Sequence, residues 1–246
     1  MKNLLRNITR AIIRRYLTKD HSITREFHPY YDFVDTNNKR FFDITHTEGI
    51  RITKTPYSVW RRDRFLNLSF LLEYIRNFGG AYAECGAWRG LSSFVICSTI
   101  KHQQPEFLGE NYHIVDSFEG LSSPTNADGV INISTNKRFA CDIDTVQKNL
   151  SMFPKIKYHK GWIPEILSGL PEEKYKFVHI DLDLAAPTIG ALDYFMSRML
   201  PGGIIVCDDY GGVIWHGMRA EVDKYCKERK ISKILELSTG QLVIFL

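Results

Sequence analysis

Apolar positions along this 246-residue chain change their period several times. Leu4, Ile8, Ile12 and Tyr16, flanked by Leu5, Ile13 and Leu17, recur at helical spacing, so an amphipathic helix of about four turns is predicted there. Residues 20–56 are polar and aromatic with weak periodicity. They read as loop, of the kind that forms part of a substrate lid in an enzyme. From Ser58 onward the pattern is regular. Phe65, Leu68, Leu71, Leu72 and Ile75 mark one side of a helix over 64–78, stopped by Gly79-Gly80. Short apolar runs then alternate with helical periods: strand 81–85 and helix 92–101; strand 112–115 and helix 143–153; strand 157–160 and a short helix near 163–167; strand 177–180 and helix 188–199; strand 203–207 and helix 218–229. Such alternation predicts an α/β fold with a parallel sheet covered by helices on both faces. The ending differs: strands 232–237 and 241–246 are separated by Ser238-Thr239-Gly240, a hairpin turn rather than a crossover. The expected organisation is an N-terminal helix and lid segment over 1–56 and one α/β domain over 57–246.

Composition narrows the class. The apolar and charged fractions are those of a globular protein. Five scattered cysteines with no Cys-x-x-Cys argue for a reduced compartment and against a disulfide framework or a zinc site. No apolar run reaches transmembrane length and no secretory leader is visible, so a cytoplasmic enzyme is expected. The formal charge is +4, but residues 1–25 carry +6 and the remainder is net −2. The main domain therefore has no basic footprint for nucleic acid. The basic N-terminal helix suits a partner subunit, its own domain or an anionic membrane surface, with contact expected through residues 1–19.

Chemistry concentrates at the predicted strand ends. The run Phe177-Val178-His179-Ile180-Asp181-Leu182-Asp183 and the run Gly203-Ile204-Ile205-Val206-Cys207-Asp208-Asp209 each end in a carboxylate pair. In an open α/β sheet, ligands bind outside the carboxyl ends of the strands. Asp181, Asp208 and Asp209 should meet there and hold a hard cation such as Mg2+. The first strand runs into Glu84-Cys85-Gly86-Ala87-Trp88-Arg89-Gly90. Gly86 permits close backbone approach, and the spacing is neither the dinucleotide fingerprint nor a phosphate loop. Glu84 suits an ammonium better than a pyrophosphate. Asp116, at the tip of the second strand with Ser117 beside it, is placed to accept ribose hydroxyls. Gly161-Trp162, after the third strand, could flank an adenine ring or lie in the core. Asp181 and, second, His216 are the expected proton acceptors, and Asp183 is expected behind the metal shell or as a helix cap.

The sheet resembles that of class I S-adenosylmethionine-dependent methyltransferases, Rossmann-like with an antiparallel C-terminal hairpin. At Glu84-Cys85-Gly86, Asp116-Ser117-Phe118-Glu119-Gly120-Leu121, His179-Ile180-Asp181-Leu182-Asp183 and Gly202-Gly203…Asp208-Asp209-Tyr210-Gly211 the chain resembles the macrocin O-methyltransferase family, over about 55–246. That resemblance implies a metal-dependent enzyme that methylates hydroxyls of sugars, with metal at Asp181, Asp208 and Asp209 and cofactor contacts from Glu84, Gly86 and Asp116. The acceptor would be a sugar or sugar-bearing small molecule that chelates through two adjacent oxygens. The chain departs from the family pattern at Ala185, where an aromatic ring usually precedes the Thr, which implies an altered acceptor pocket. A phosphohydrolase would instead want a basic set around a phosphate, and a non-catalytic module of the same fold would not need three intact carboxylates.

Overall fold

The computed structural model describes residues 36–129, 135, 137–212 and 216–246. The predicted basic helix and the first part of the predicted loop lie outside these residues. Two compact units divide the chain at residue 43, and the second, residues 44–246, contains the sheet and everything that follows from it. Among the described residues no helix is long and apolar enough to cross a membrane.

The second part of the predicted loop is a helix, α1, Thr36–Thr53. Within the second unit its buried positions are Thr45, His46, Gly49 and Thr53, while Ile44 is 62% exposed. A helix that buries hydroxyls, an imidazole and a glycine carries no apolar period, which is why its sequence reads as loop. Gly49 packs closely at this crossing: a Cβ there would lie 2.7 Å from Leu91 Cδ1 and 2.9 Å from Phe94 Cδ1, so those side chains would have to shift. Helix α2, Val59–Tyr74, follows, starting five residues earlier than its apolar stripe suggested and burying Phe65, Leu68 and Leu72.

Seven strands form one sheet in the order β3-β2-β1-β4-β5-β7-β6. They are β1 (Ala81–Cys85), β2 (Tyr112–Asp116), β3 (Lys157–Lys160), β4 (Tyr175–Ile180), β5 (Met199–Cys207), β6 (Ile234–Glu236) and β7 (Leu242–Phe245). The first five are mutually parallel, and β7 runs antiparallel to both β5 and β6. This is the class I methyltransferase sheet that the alternation and the closing hairpin predicted. Crossovers are made by α3 (Leu91–Gln103), α4 (Ile143–Asn149), α5 (Ala185–Met196) and α6 (Gly217–Glu228), with a 3-10 turn at Glu165–Gly169 between β3 and β4. Residues of β1 and β4 are all buried, as expected of strands covered on both faces.

Strand order reverses between β1 and β4, which opens a crevice at their carboxyl ends. The strand tips are level. Cys85 pairs with Val115 on one side and Ile180 on the other, Ile180 with Cys207, and Asp116 with Lys160. Gly86, Asp116, Gly161, Asp181 and Asp208 therefore emerge together along one edge.

Candidate active site

One cavity lies over this edge. Gly86, Asp116, Ser117, Gly161, Trp162, Asp181, Asp208 and Asp209, all selected from sequence, line it. Trp162 is 41% exposed, so of its two readings the core one is excluded. Two expected residues are absent from the cavity walls. His216 is exposed and lies against Gly129, not against the carboxylates. Glu84 is fully buried inside β1, because alternation along the strand turns its side chain into the sheet's packing layer while the following turn carries the cavity wall.

The loop after β1 is held by Asp116. Its carboxylate accepts from the backbone N–H groups of Ala87 (2.7 Å), Trp88 (3.3 Å) and Phe118 (2.7 Å). Burial raises its pKa, and these three bonds oppose the rise. A carboxylate has about four acceptor sites, so Asp116 fixes the loop first and keeps little capacity for a ligand. Gly86 crosses at φ 87°, and a Cβ on it would lie 1.9 Å from the carbonyl oxygen of Asp181. Only glycine lets β1 turn away this close to β4.

At the other end stand the carboxylates. One oxygen each from Asp181, Asp183 and Asp209 lies within 4.8 Å of the others, and Asp181, Asp208 and His179 form a second such group. Of the two places expected for Asp183, behind the metal shell or as a helix cap, the structure gives it one beside the carboxylates, lining the cavity with φ 59°. The N-terminus of α5 is capped by Asp128, buried in the 3-10 turn Asn126–Asp128, whose Oδ1 accepts from the Ala185 N–H at 2.7 Å. Ala185 itself is buried in the hydrophobic core, away from the cavity walls.

Burial and the charges of its neighbours push Asp181 well above the usual carboxylate range. Asp209 is raised by burial and by Asp208. Asp208 moves the other way: although burial opposes it, His179 and Arg64 hold it below the ordinary value. Arg64 Nη1 donates to Asp208 Oδ2 (2.6 Å) and reaches Asp209 Oδ1 (3.4 Å). Arg64 and a protonated His179 do not neutralise four neighbouring carboxylates, and the oxygens of Asp181, Asp183, Asp208 and Asp209 suit a divalent cation.

Beneath the cluster runs a buried polar chain. Glu84 accepts from Tyr112 Oη (2.9 Å) and Ser93 Oγ and pairs with His179 Nδ1 at 3.0 Å; His179 Nε2 lies 3.4 Å from Asp208 Oδ1. Burial disfavours the charged imidazole, but its bonds to Asp208 and Glu84 prevail and raise it to about 10. From the far side Gln241 Nε2 donates to Asp208 Oδ1 at 2.7 Å, and Asn67 Nδ2 donates to Gln241 Oε1 at 2.9 Å. Sequence reading missed Arg64 and Gln241 and gave His179 no role. Arg64 sits in an apolar helix pattern and Gln241 opens an apolar strand, so a polar residue out of place was the available signal.

The family described as Macrocin-O-methyltransferase (TylF) matches residues 11–244. A tetracenomycin-C 4'-O-methyltransferase of Streptomyces olivaceus, acting on the 8-demethyl-8-(2,3-dimethoxy-alpha-L-rhamnosyl) compound, is 26% identical over 158 residues, 60% of each chain. A mycinamicin III 3''-O-methyltransferase of Micromonospora griseorubida is 24% identical over 212 residues, 74% of this chain and 82% of its own. The fold is similar to that of the O-methyltransferase NovP (TM-score 0.64, 19% identity, 74% of this chain and 78% of that one). It is also similar to the calicheamicin methyltransferase CalS11 (TM-score 0.63, 16% identity, 86% and 93%).

Proposed function

Since this chain belongs to the macrocin O-methyltransferase family, we propose that it moves a methyl group from S-adenosylmethionine to a hydroxyl of a sugar or sugar-bearing small molecule. The observation that carries the reading is the meeting, in one cavity, of a glycine loop at β1 with four carboxylates at β4 and β5. The first relative named above is the 4'-O-methyltransferase of a rhamnosyl tetracenomycin, and a sugar offers the paired hydroxyls such a site would hold.

S-adenosylmethionine supplies an electrophilic methyl, and a divalent cation, Mg2+ first, lowers the pKa of the hydroxyl it contacts. Asp181, Asp208 and Asp209 would hold that cation. Arg64 balances their charge, and Gln241 and His179 keep Asp208 oriented. Asp181, the first proton acceptor expected from the sequence, would take the hydroxyl proton with Asp183 beside it in the same cluster, and His216 does not line the cavity. Gly86, Ser117, Gly161 and Trp162 form the cofactor wall, and Asp116 holds its loop in shape.

The test is incubation of the protein with labelled S-adenosylmethionine, Mg2+ and extract of the source cell, followed by mass spectrometry of labelled products. The expected product is a small hydroxylated molecule methylated on oxygen, lost on chelation. Label on nitrogen, protein or nucleic acid would refute the reading.

A further inference from the structure

Two cations line the cavity, Arg61 and Arg64. Arg64 is committed to Asp208 and Asp209. Arg61 is not: among the described residues it has no carboxylate partner, and its guanidinium packs beside a pair of aromatic rings. The carbon of that guanidinium is 5.3 Å from the Trp88 centroid and 5.8 Å from that of Phe139. The rings meet edge to face at 5.2 Å and both line the cavity. A guanidinium held by rings keeps its N–H edge for a planar, two-oxygen anion.

The location of this arginine selects the anion. Trp88 is two residues beyond Gly86, in the loop between β1 and α3, so Arg61 stands over the proposed cofactor loop and not over the acceptor's carboxylates. Two loop amides that could otherwise receive an anion, those of Ala87 and Trp88, are already bonded to Asp116. The proposed cofactor carries one carboxylate, on its methionine end. Every other charged side chain lining the cavity, apart from Arg64, is acidic and would repel that group.

We infer that Arg61, packed against the Trp88–Phe139 pair, receives the methionine carboxylate of S-adenosylmethionine. The inference rests on the proposed use of that cofactor. Calorimetric titration of the full chain with S-adenosylmethionine and with its decarboxylated analogue tests both separately. Arg61→Ala should weaken S-adenosylmethionine roughly tenfold to a hundredfold, the range for a hydrogen-bonded charged group, and leave the analogue within about twofold. Arg61→Lys should recover part of the loss. Equal weakening of both ligands would mean that Arg61 only shapes the cavity and would overturn the assignment. So would unchanged S-adenosylmethionine affinity, including the case in which only the KM of an anionic acceptor rises. If the unaltered protein binds neither ligand, the cofactor reading itself falls and takes this one with it.

Discussion

Arg64 of α2 donates a 2.6 Å hydrogen bond to Asp208 at the tip of β5, tying the helix before the sheet to the acidic edge on which the chemistry is proposed. The arginine side chain is 20% exposed and the aspartate 6%. Removing one partner of a buried pair costs about 3–5 kcal/mol, reduced here to about 2–3 by residual solvent access. Urea unfolding of Arg64→Met should show that loss in chelator and a smaller one with Mg2+, which supplies the missing charge. Equal losses in both conditions would show that arginine and metal do not share the cluster.

Asp209→Asn keeps shape and removes charge. Turnover should fall on the order of a hundredfold or more, since several kcal/mol of charge stabilisation are assigned to the metal. Cofactor affinity measured by calorimetry should change by less than about threefold. Full activity after exhaustive chelation would end the metal assignment.

Glu84 never reaches the cavity, yet it orients His179, which orients Asp208. Glu84→Gln should therefore raise the Mg2+ concentration for half-maximal activity about tenfold, an effect of about 1.4 kcal/mol. Affinity for S-adenosylmethionine should be unaffected. A direct ammonium contact would give the opposite split, weaker cofactor and unchanged metal dependence.

Asp116→Asn replaces an acceptor oxygen by an amide donor facing backbone N–H groups. The loop should open and cofactor affinity fall by about 2–3 kcal/mol, more than a lost ribose bond alone. Hydrogen exchange at Ala87 and Trp88 reports it: unchanged protection with weakened binding would restore the simpler ribose reading.

Away from the site, His113 Nδ1 and His159 Nε2 lie 3.0 Å apart across β2 and β3. Burial lowers both pKa values, and for His159 the charge of His113 adds to it; Glu173 opposes the fall at each. A depressed histidine binds fewer protons folded than unfolded. Its contribution is intact above the unfolded value of about 6.5 and is lost as pH falls from there through the folded value. The melting temperature should drop between about pH 7 and 5, and His159→Gln should flatten that slope. An unchanged slope would remove the pair from the acid response.

Strands were the legible part of this fold. β1 and β3 match their expected bounds residue for residue, and the level tips that follow explain why Asp181, Asp208 and Asp209 could be grouped without a structure. What failed was anything that depends on which way a side chain turns or on a partner distant in sequence. Glu84 adjoins the cofactor loop in sequence but faces the core. His216 follows the metal pair in sequence but folds onto Gly129. Asp183 resembles a cap, and Asp128, 57 positions from Ala185, does the capping. Helix α1 was invisible because, Phe42 apart, its buried positions Thr45, His46, Gly49 and Thr53 carry no apolar period.

Strand order carries one last consequence. The proposed cofactor wall hangs from β1, β2 and β3 and the carboxylates from β4 and β5, and the two groups of strands join along the single seam between β1 and β4. Substitutions on the β4–β5 side can accumulate without disturbing the methyl-donor side, provided Gly86 still clears the Asp181 carbonyl and His179 still meets Glu84 across the seam. Descendants of one ancestral chain can thus change which sugar they decorate while inheriting the donor half intact, and that seam is where a chimera of two such proteins should be cut.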